Sequence, residues 1–176
     1  VEIYFALSKD ADCAEAVETI IKANITPQNT LFIITYSSIK LYLKLIYKYG
    51  HGFTCITKSD LILRDIDLLK KINENTKAVV QMTLTTSDEE LCRILEPNVC
   101  TTKRRVEVLK KLNKNNIPTV VWLCPVLPFI NDNEENINQI LDYCIESNVK
   151  GIICFEMGMT LRDGNRQYFY KKLDED

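Results

Sequence analysis

The chain has 176 residues, 46% hydrophobic and 26% charged, enough apolar material for one folded domain and too much for a disordered tail. A formal net charge of −2 excludes the global basic field of a dedicated phosphate-backbone binder, while leaving room for a local basic patch. No apolar run approaches the ~18 residues of a membrane span and no basic-then-apolar leader opens the sequence, so it reads as a cytoplasmic protein without a membrane partner.

In chain order, residues 2–7 are expected as a strand, 11–23 as a helix, 31–36 as a strand and 39–49 as a helix. Phe53–Thr57 is a short β-branched run after a glycine-containing turn, followed by a helix near 65–73 with Ile66, Leu69 and Ile72 on one face. Residues 78–85 (AVVQMTLT) read as a strand. Ser87 and Glu90 then form a capping box for a helix that Pro97 ends. A helix over 102–115 carries Val106, Leu109 and Leu112 in register, and Asn116 suits a left-handed cap before the strand that Pro118 introduces. The nearly unbroken apolar run 119–126 predicts a strand buried on both faces. A second capping box, Asp132 with Glu135, precedes a helix over 133–147 whose stripe is Ile137, Ile140, Leu141, Cys144 and Ile145; a last strand is expected over 151–155.

Strands alternating with amphipathic helices define a parallel α/β fold in a single domain over 1–176, with six strands in all. Periodicity alone fits a partial TIM-type barrel and a doubly wound sheet equally. The sequence begins at Val1 and stops within a helical pattern, and so reads as a piece of a longer protein.

In parallel β/α folds the chemistry-bearing side chains project from strand C-termini. Those positions hold Thr57-Lys58-Ser59, Thr83 to Thr86, Cys124-Pro125 and the loop 156–162. Lys58 can bind a carboxylate or phosphate, can form a Schiff base if desolvated, or can be a solvated lysine at the sheet mouth. Thr83 and Thr85 share a strand face and can bond one ligand, although threonine is also an ordinary strand residue. The seven cysteines are scattered without CxxC spacing, which suits reduced buried thiols rather than disulfides, and no metal site is expected from them. His51, the one histidine, lies between two glycines, so histidine-rich zinc sites are excluded. The five glycines form no phosphate-binding loop, which removes kinase, P-loop and dinucleotide readings. The stretch 167–172 (QYFYKK) mixes aromatic and basic residues; it can stack on nucleobases, or can pack its rings on the core.

Residues 57–65 (TKSDLILRD) resemble a stretch of radical S-adenosylmethionine (radical SAM) proteins of the spore-photoproduct-lyase-like, or DNA repair photolyase, kind. Thr83 to Thr86 with Glu96-Pro97, then 124–132 (CPVLPFIND) with Glu134-Glu135-Asn136, then 157–170 (MGMTLRDGNRQYFY) follow in the family's order, so the resemblance spans about residues 40–175 and leaves 1–38 unmatched. It implies a partial (β/α)6 barrel, SAM and a [4Fe–4S] cluster as cofactors, a lyase-like radical reaction, and nucleic acid as the substrate class. It also implies that Lys58, with Ser59 beside it, meets the SAM carboxylate, that Thr83 contacts the methionyl part and Thr85 the ribose, and that Pro125 lies on the strand beside the adenine. The CxxxCxxC loop that holds the family's cluster is absent from the sequence, so the chain alone is expected to be inactive. The alternative is a non-catalytic barrel remnant that binds a nucleotide-like ligand or a protein partner.

Overall fold

The computed structural model describes residues 30–154 together with Gln167, Tyr170 and Lys171. The expected strand 2–7, the helix 11–23, the loop 156–162 and most of the aromatic–basic stretch lie outside the described residues, as does Cys13.

Helix α1 spans Thr30–Lys48 and is followed by strand β1, Phe53–Thr57. A 3-10 helix over Asp60–Asp65 leads into α2, Ile66–Asn75, and then β2, Ala78–Thr83. Helices α3, Glu89–Leu95, and α4, Thr102–Lys114, precede β3, Thr119–Leu123; α5, Glu134–Glu146, precedes β4, Gly151–Cys154. The four strands form one parallel sheet in the order β1-β2-β3-β4, with Cys55 opposite Val80, Met82 opposite Val121 and Leu123 opposite Cys154.

That order advances without the reversal that marks the switch point of a doubly wound sheet, so the barrel-type progression is the one present. Among the described residues, one sheet face is packed shut. Phe53, Cys55, Ala78, Val80, Met82, Val121 and Leu123 join Leu69, Ile72, Leu109, Leu112 and Ile140 in a single apolar core. The other face, with Thr54, Ile56, Val79, Gln81, Val120 and Trp122, is half-buried.

Several expectations need correction. Residues 31–36 are helical, the first part of α1; a short apolar run has no period of its own, and this one continues into the amphipathic turns that bury Leu43 and Ile46. The run from Thr119 is packed on one face and half-buried on the other, not buried on both, and the strand ends at Leu123. Pro125, two residues on, has no N–H for the ladder. Both capping boxes are displaced by one residue. Asp88, not Ser87, caps α3 by accepting from the amides of Glu90 (2.7 Å) and Leu91 (3.0 Å), and Asn133, not Asp132, caps α5 by accepting from Asn136 (2.9 Å). In α5 the buried positions are Asn136, Ile140 and Cys144, while Ile145 is 76% exposed. Asn116 adopts the left-handed conformation its position called for (φ 57°).

Candidate functional site

At the C-terminal end of β1 the chain turns sharply. The Thr57 hydroxyl accepts from the Ser59 amide (3.0 Å), and the Ser59 hydroxyl accepts from the Leu61 amide (3.2 Å), opening the 3-10 helix. Thr57 and Ser59 are thereby buried and consumed by the turn, and Lys58 between them points the other way, with 40% of its side chain exposed. The amide of Asp60 donates to Cys100 Sγ (3.3 Å), and Arg104 holds the Asp60 carboxylate at 2.9 Å. That guanidinium bond keeps the Asp60 carboxyl below the usual aspartate range. The β1 turn is therefore tied to the start of α4.

Pro97 decides where α3 stops. A residue before proline is pushed out of helical geometry, and Glu96 (φ −130°, ψ 63°) leaves the helix. Its carboxylate lies between two cations: Lys58 Nζ at 2.5 Å on Oε1, and Arg105 Nη2 at 2.6 Å on Oε2. Arg105 is fully buried, and its other nitrogens donate to the carbonyls of Cys100 (2.6 Å) and Thr83 (2.9 Å). One guanidinium thus fixes the end of β2, the 96–100 loop and the acidic partner of Lys58.

Two buried asparagines complete the frame. Asn131 donates to the carbonyls of Thr85 (2.9 Å) and Pro125 (3.2 Å) and accepts from the Leu127 amide (2.5 Å). Asn136 donates to the Thr85 and Asn131 carbonyls (3.1 and 2.8 Å) and accepts from the Ser87 amide (2.6 Å). The loop after β3, which begins with the cis Cys124–Pro125 bond, is thereby latched to the segment after β2.

These elements enclose a cleft of about 390 Å³, within the ordinary range for a small-molecule site, lined among others by Lys58, Thr85, Glu96, Pro125, Leu127 and Asn131. Of the residues singled out in the sequence, Lys58, Thr85 and Pro125 meet here. Thr83 does not line the cleft; it is buried, and its carbonyl is taken by Arg105. Ser59 does not line it either, its hydroxyl being spent on the turn. His51 lies before β1, at the opposite end of the sheet. Sequence reasoning passed over Arg105, and took Glu96, Asn131 and Asn136 only as parts of motifs. A signal existed for Arg105: it precedes Leu109 by one helical step and Leu112 by two, on the stripe that faces the core.

The lining is suited to a polar organic ligand with an anionic group: an ammonium, a buried carboxylate, a hydroxyl-bearing strand end and apolar walls. It does not suit an iron–sulfur cluster. The chain has no CxxxCxxC, and among the described residues no three Cys, His, Asp or Glu side chains gather. Cys55, Cys92 and Cys144 are buried, Cys100 and Cys124 half-buried and Cys154 exposed; burial pushes the Cys55 thiol up to about 12 and that of Cys144 to about 11. Thiols raised in this way, as at Cys55 and Cys144, are poor thiolate ligands. Among the described residues no helix is long and apolar enough to cross a membrane.

The radical SAM superfamily model matches residues 12–144, and the chain belongs to that superfamily. A Mycobacterium tuberculosis relative, uncharacterised, is 27% identical over 120 residues, 68% of this chain and 35% of its own length. Another, from Methanocaldococcus jannaschii, is 34% identical over 79 residues, 45% of this chain and 29% of its own. The chain therefore spans about a third of the curated relatives it matches. Among solved structures, a domain of pyruvate-formate lyase-activating enzyme from Bacteroides vulgatus superposes with a TM-score of 0.54 at 12% identity, covering 86% of this chain and 93% of that one. Streptococcus suis SuiB bound to S-adenosylmethionine gives 0.53 at 14% identity, covering 98% and 41%. At these identities the likeness establishes the fold: an α/β chain whose parallel sheet is part of a radical SAM barrel.

Proposed function

We propose that the cleft at the strand ends binds S-adenosylmethionine, with Lys58 receiving the carboxylate, Thr85 and Pro125 lining the nucleoside side, and Thr83 and Ser59 holding the two strand ends behind them. The observation that carries this is a charge count. Lys58, Glu96 and Arg105 sum to one net positive charge, and because Arg105 is fully buried, that charge is presented at half-exposed Lys58. A cation fixed at one face by a carboxylate whose own charge is already shared is prepared for a single anionic group. The Lys58 ammonium, ion-paired in this way, offers no lone pair to a carbonyl, which disfavours the Schiff-base reading.

For the whole protein we propose a radical SAM enzyme of the spore-photoproduct-lyase-like kind, acting on nucleic acid in the cytoplasm. The motif at residues 57–65 supports this placement. The residues of this chain supply binding and orientation; its cysteines do not supply a cluster site. On this reading the chain alone binds SAM without cleaving it. The absent CxxxCxxC also favours the second reading, a non-catalytic remnant that binds a nucleotide-like ligand.

Calorimetric titration of the chain with SAM tests the proposal. Saturable binding that weakens about tenfold or more in Lys58→Ala is expected, since a charge-assisted hydrogen bond contributes ~1.5–3 kcal/mol. Equal affinity in the two proteins would remove Lys58, and with it the cofactor reading, from the site. Anaerobic reconstitution of the full-length protein, followed by assay for 5′-deoxyadenosine, separates the enzyme from the remnant.

A further inference from the structure

Helix α1 presents a row of positive charge that no acidic group among the described residues answers. From Thr30 to Ser59 the sequence holds four lysines and no Asp or Glu, in a chain whose formal net charge is −2. Lys40, Lys44 and Lys48 recur at every fourth residue of α1, and all three are exposed. At ~100° per residue they cover an arc of ~80°, and successive lysines rise by ~6 Å along the axis. Tyr47 and Leu41, each 43% exposed, border the row on its two sides, while Leu43 and Ile46 on the far face are sunk in the core. None of the ion pairs among the described residues includes these lysines. Lys48 Nζ lies 5.2 Å from the Tyr49 ring centroid, a contact that leaves its N–H groups able to bind an anion. Like charges four residues apart repel and weaken a helix, so the row opposes the element that carries it. Because α1 leads through residues 49–52 into β1, Lys48 lies at the end of the sheet opposite the cleft.

We infer that the row Lys40, Lys44 and Lys48 is a docking surface, apart from the cleft, for the phosphate backbone of a single-stranded nucleic acid. Evenly spaced ammonium groups on a rigid helix suit a polymer that repeats one negative charge per unit, and binding releases the counterions condensed on it. Tyr47 beside the row supplies a ring on which an unpaired base can stack. A membrane surface fits less well. An interfacial helix buries its apolar face in lipid, and that face of α1 is already spent on the core by Leu43 and Ile46. The inference deepens the nucleic-acid part of the proposed function and rests on it for the identity of the polymer; it does not depend on SAM occupying the cleft.

Fluorescence anisotropy of a labelled single-stranded oligothymidylate, titrated with the intact chain, tests the inference. Three phosphate contacts predict a slope of log K on log salt of about −2, a roughly twentyfold weakening between about 50 and about 200 mM salt. Lys44→Gln should make that slope shallower by ~0.7, and the triple variant Lys40→Gln, Lys44→Gln, Lys48→Gln should weaken binding about tenfold or more at the lower salt. All three positions are exposed, and relieving their mutual repulsion should leave Tm unchanged or raised, so the loss of binding is not a loss of fold. Lys58→Ala should bind the oligonucleotide as the parent does. Absence of saturable binding, an unaltered affinity or salt slope in the triple variant, or loss of oligonucleotide binding in Lys58→Ala would each overturn the inference. So would tighter binding of poly-glutamate, or of vesicles of equal phosphatidylcholine and phosphatidylserine, than of the oligonucleotide. Binding that depends on the row supports the inference even if SAM fails to bind, which counts against the cofactor reading only, and even if the full-length protein modifies no oligonucleotide, which counts against the proposed reaction only.

Discussion

Replacing Arg105 by Met keeps a long unbranched side chain on the α4 stripe and removes three anchored nitrogens. Arg105 is fully buried, and its partners are the Cys100 carbonyl at 2.6 Å, the Thr83 carbonyl at 2.9 Å and the Glu96 carboxylate at 2.6 Å. Breaking a buried ion pair by deleting one partner costs ~3–5 kcal/mol, and each buried carbonyl left without a donor adds ~1–3 kcal/mol. The contributions overlap, and Lys58 still compensates part of the Glu96 charge. The net expectation is a loss of about 3–5 kcal/mol, read as a fall in Tm of roughly 8–15 °C for a chain of this size. Adding Glu96→Gln to Arg105→Met removes the stranded charge and should restore at least ~1 kcal/mol, a coupling that urea denaturation of the four proteins in the cycle would measure. Arg105→Met also leaves Lys58 and Glu96 as a neutral pair, so SAM affinity should fall even where the fold persists. A single variant within ~1 kcal/mol of the parent, or a strictly additive cycle, would refute the reasoning that Arg105 fixes the charge of the cleft.

Further outcomes follow from the same geometry. Asn131→Ala removes both donors to the Thr85 and Pro125 carbonyls and the acceptor for Leu127; a loss of ~2–3 kcal/mol is expected, with faster amide exchange and proteolytic nicking in the loop around Phe129, which is 99% exposed. Under native conditions near pH 8, iodoacetamide should modify exposed Cys154 well before Cys55 and Cys144, which should react only once the chain is unfolded, as mass mapping would show. Because the folded Cys55 thiol titrates near 12, above its ordinary ~8.5, the folded state binds the extra proton. The Cys55 contribution to stability is complete below ~8.5 and declines as pH rises towards 12. Cys55→Val should therefore show a shallower alkaline loss in urea midpoint than the parent.

The regular part of the fold was legible in the sequence because each signal was local. The runs beginning at Phe53, Ala78, Thr119 and Gly151 alternate with amphipathic stretches, and all four are strands. Residues 31–36 misled because an apolar hexamer rich in isoleucine carries strand propensity and no period, while the helical turns after it extend backward through it. The caps slipped by one residue because Ser87 and Asp88, and likewise Asp132 and Asn133, are adjacent residues of equal capping aptitude. At the cleft, Lys58, Thr85 and Pro125 were identifiable as strand-end residues. What burial does to polar side chains was not: Arg104 and Arg105 are neighbours of one type, yet the first is half-exposed and the second fully buried. The asparagine latch joins Thr85 to residues 46 and 51 positions away, a pairing that no local pattern encodes.

A crystal structure of the chain soaked with SAM bears most directly on the claim that Lys58 organises a cofactor cleft. The methionyl carboxylate should lie within ~3 Å of Lys58 Nζ, on the Thr85–Pro125 side of the cleft, with Glu96 still paired to Arg105. Ligand density on another face of the sheet, or none in the cleft while Lys58 remains on Glu96 alone, would contradict it.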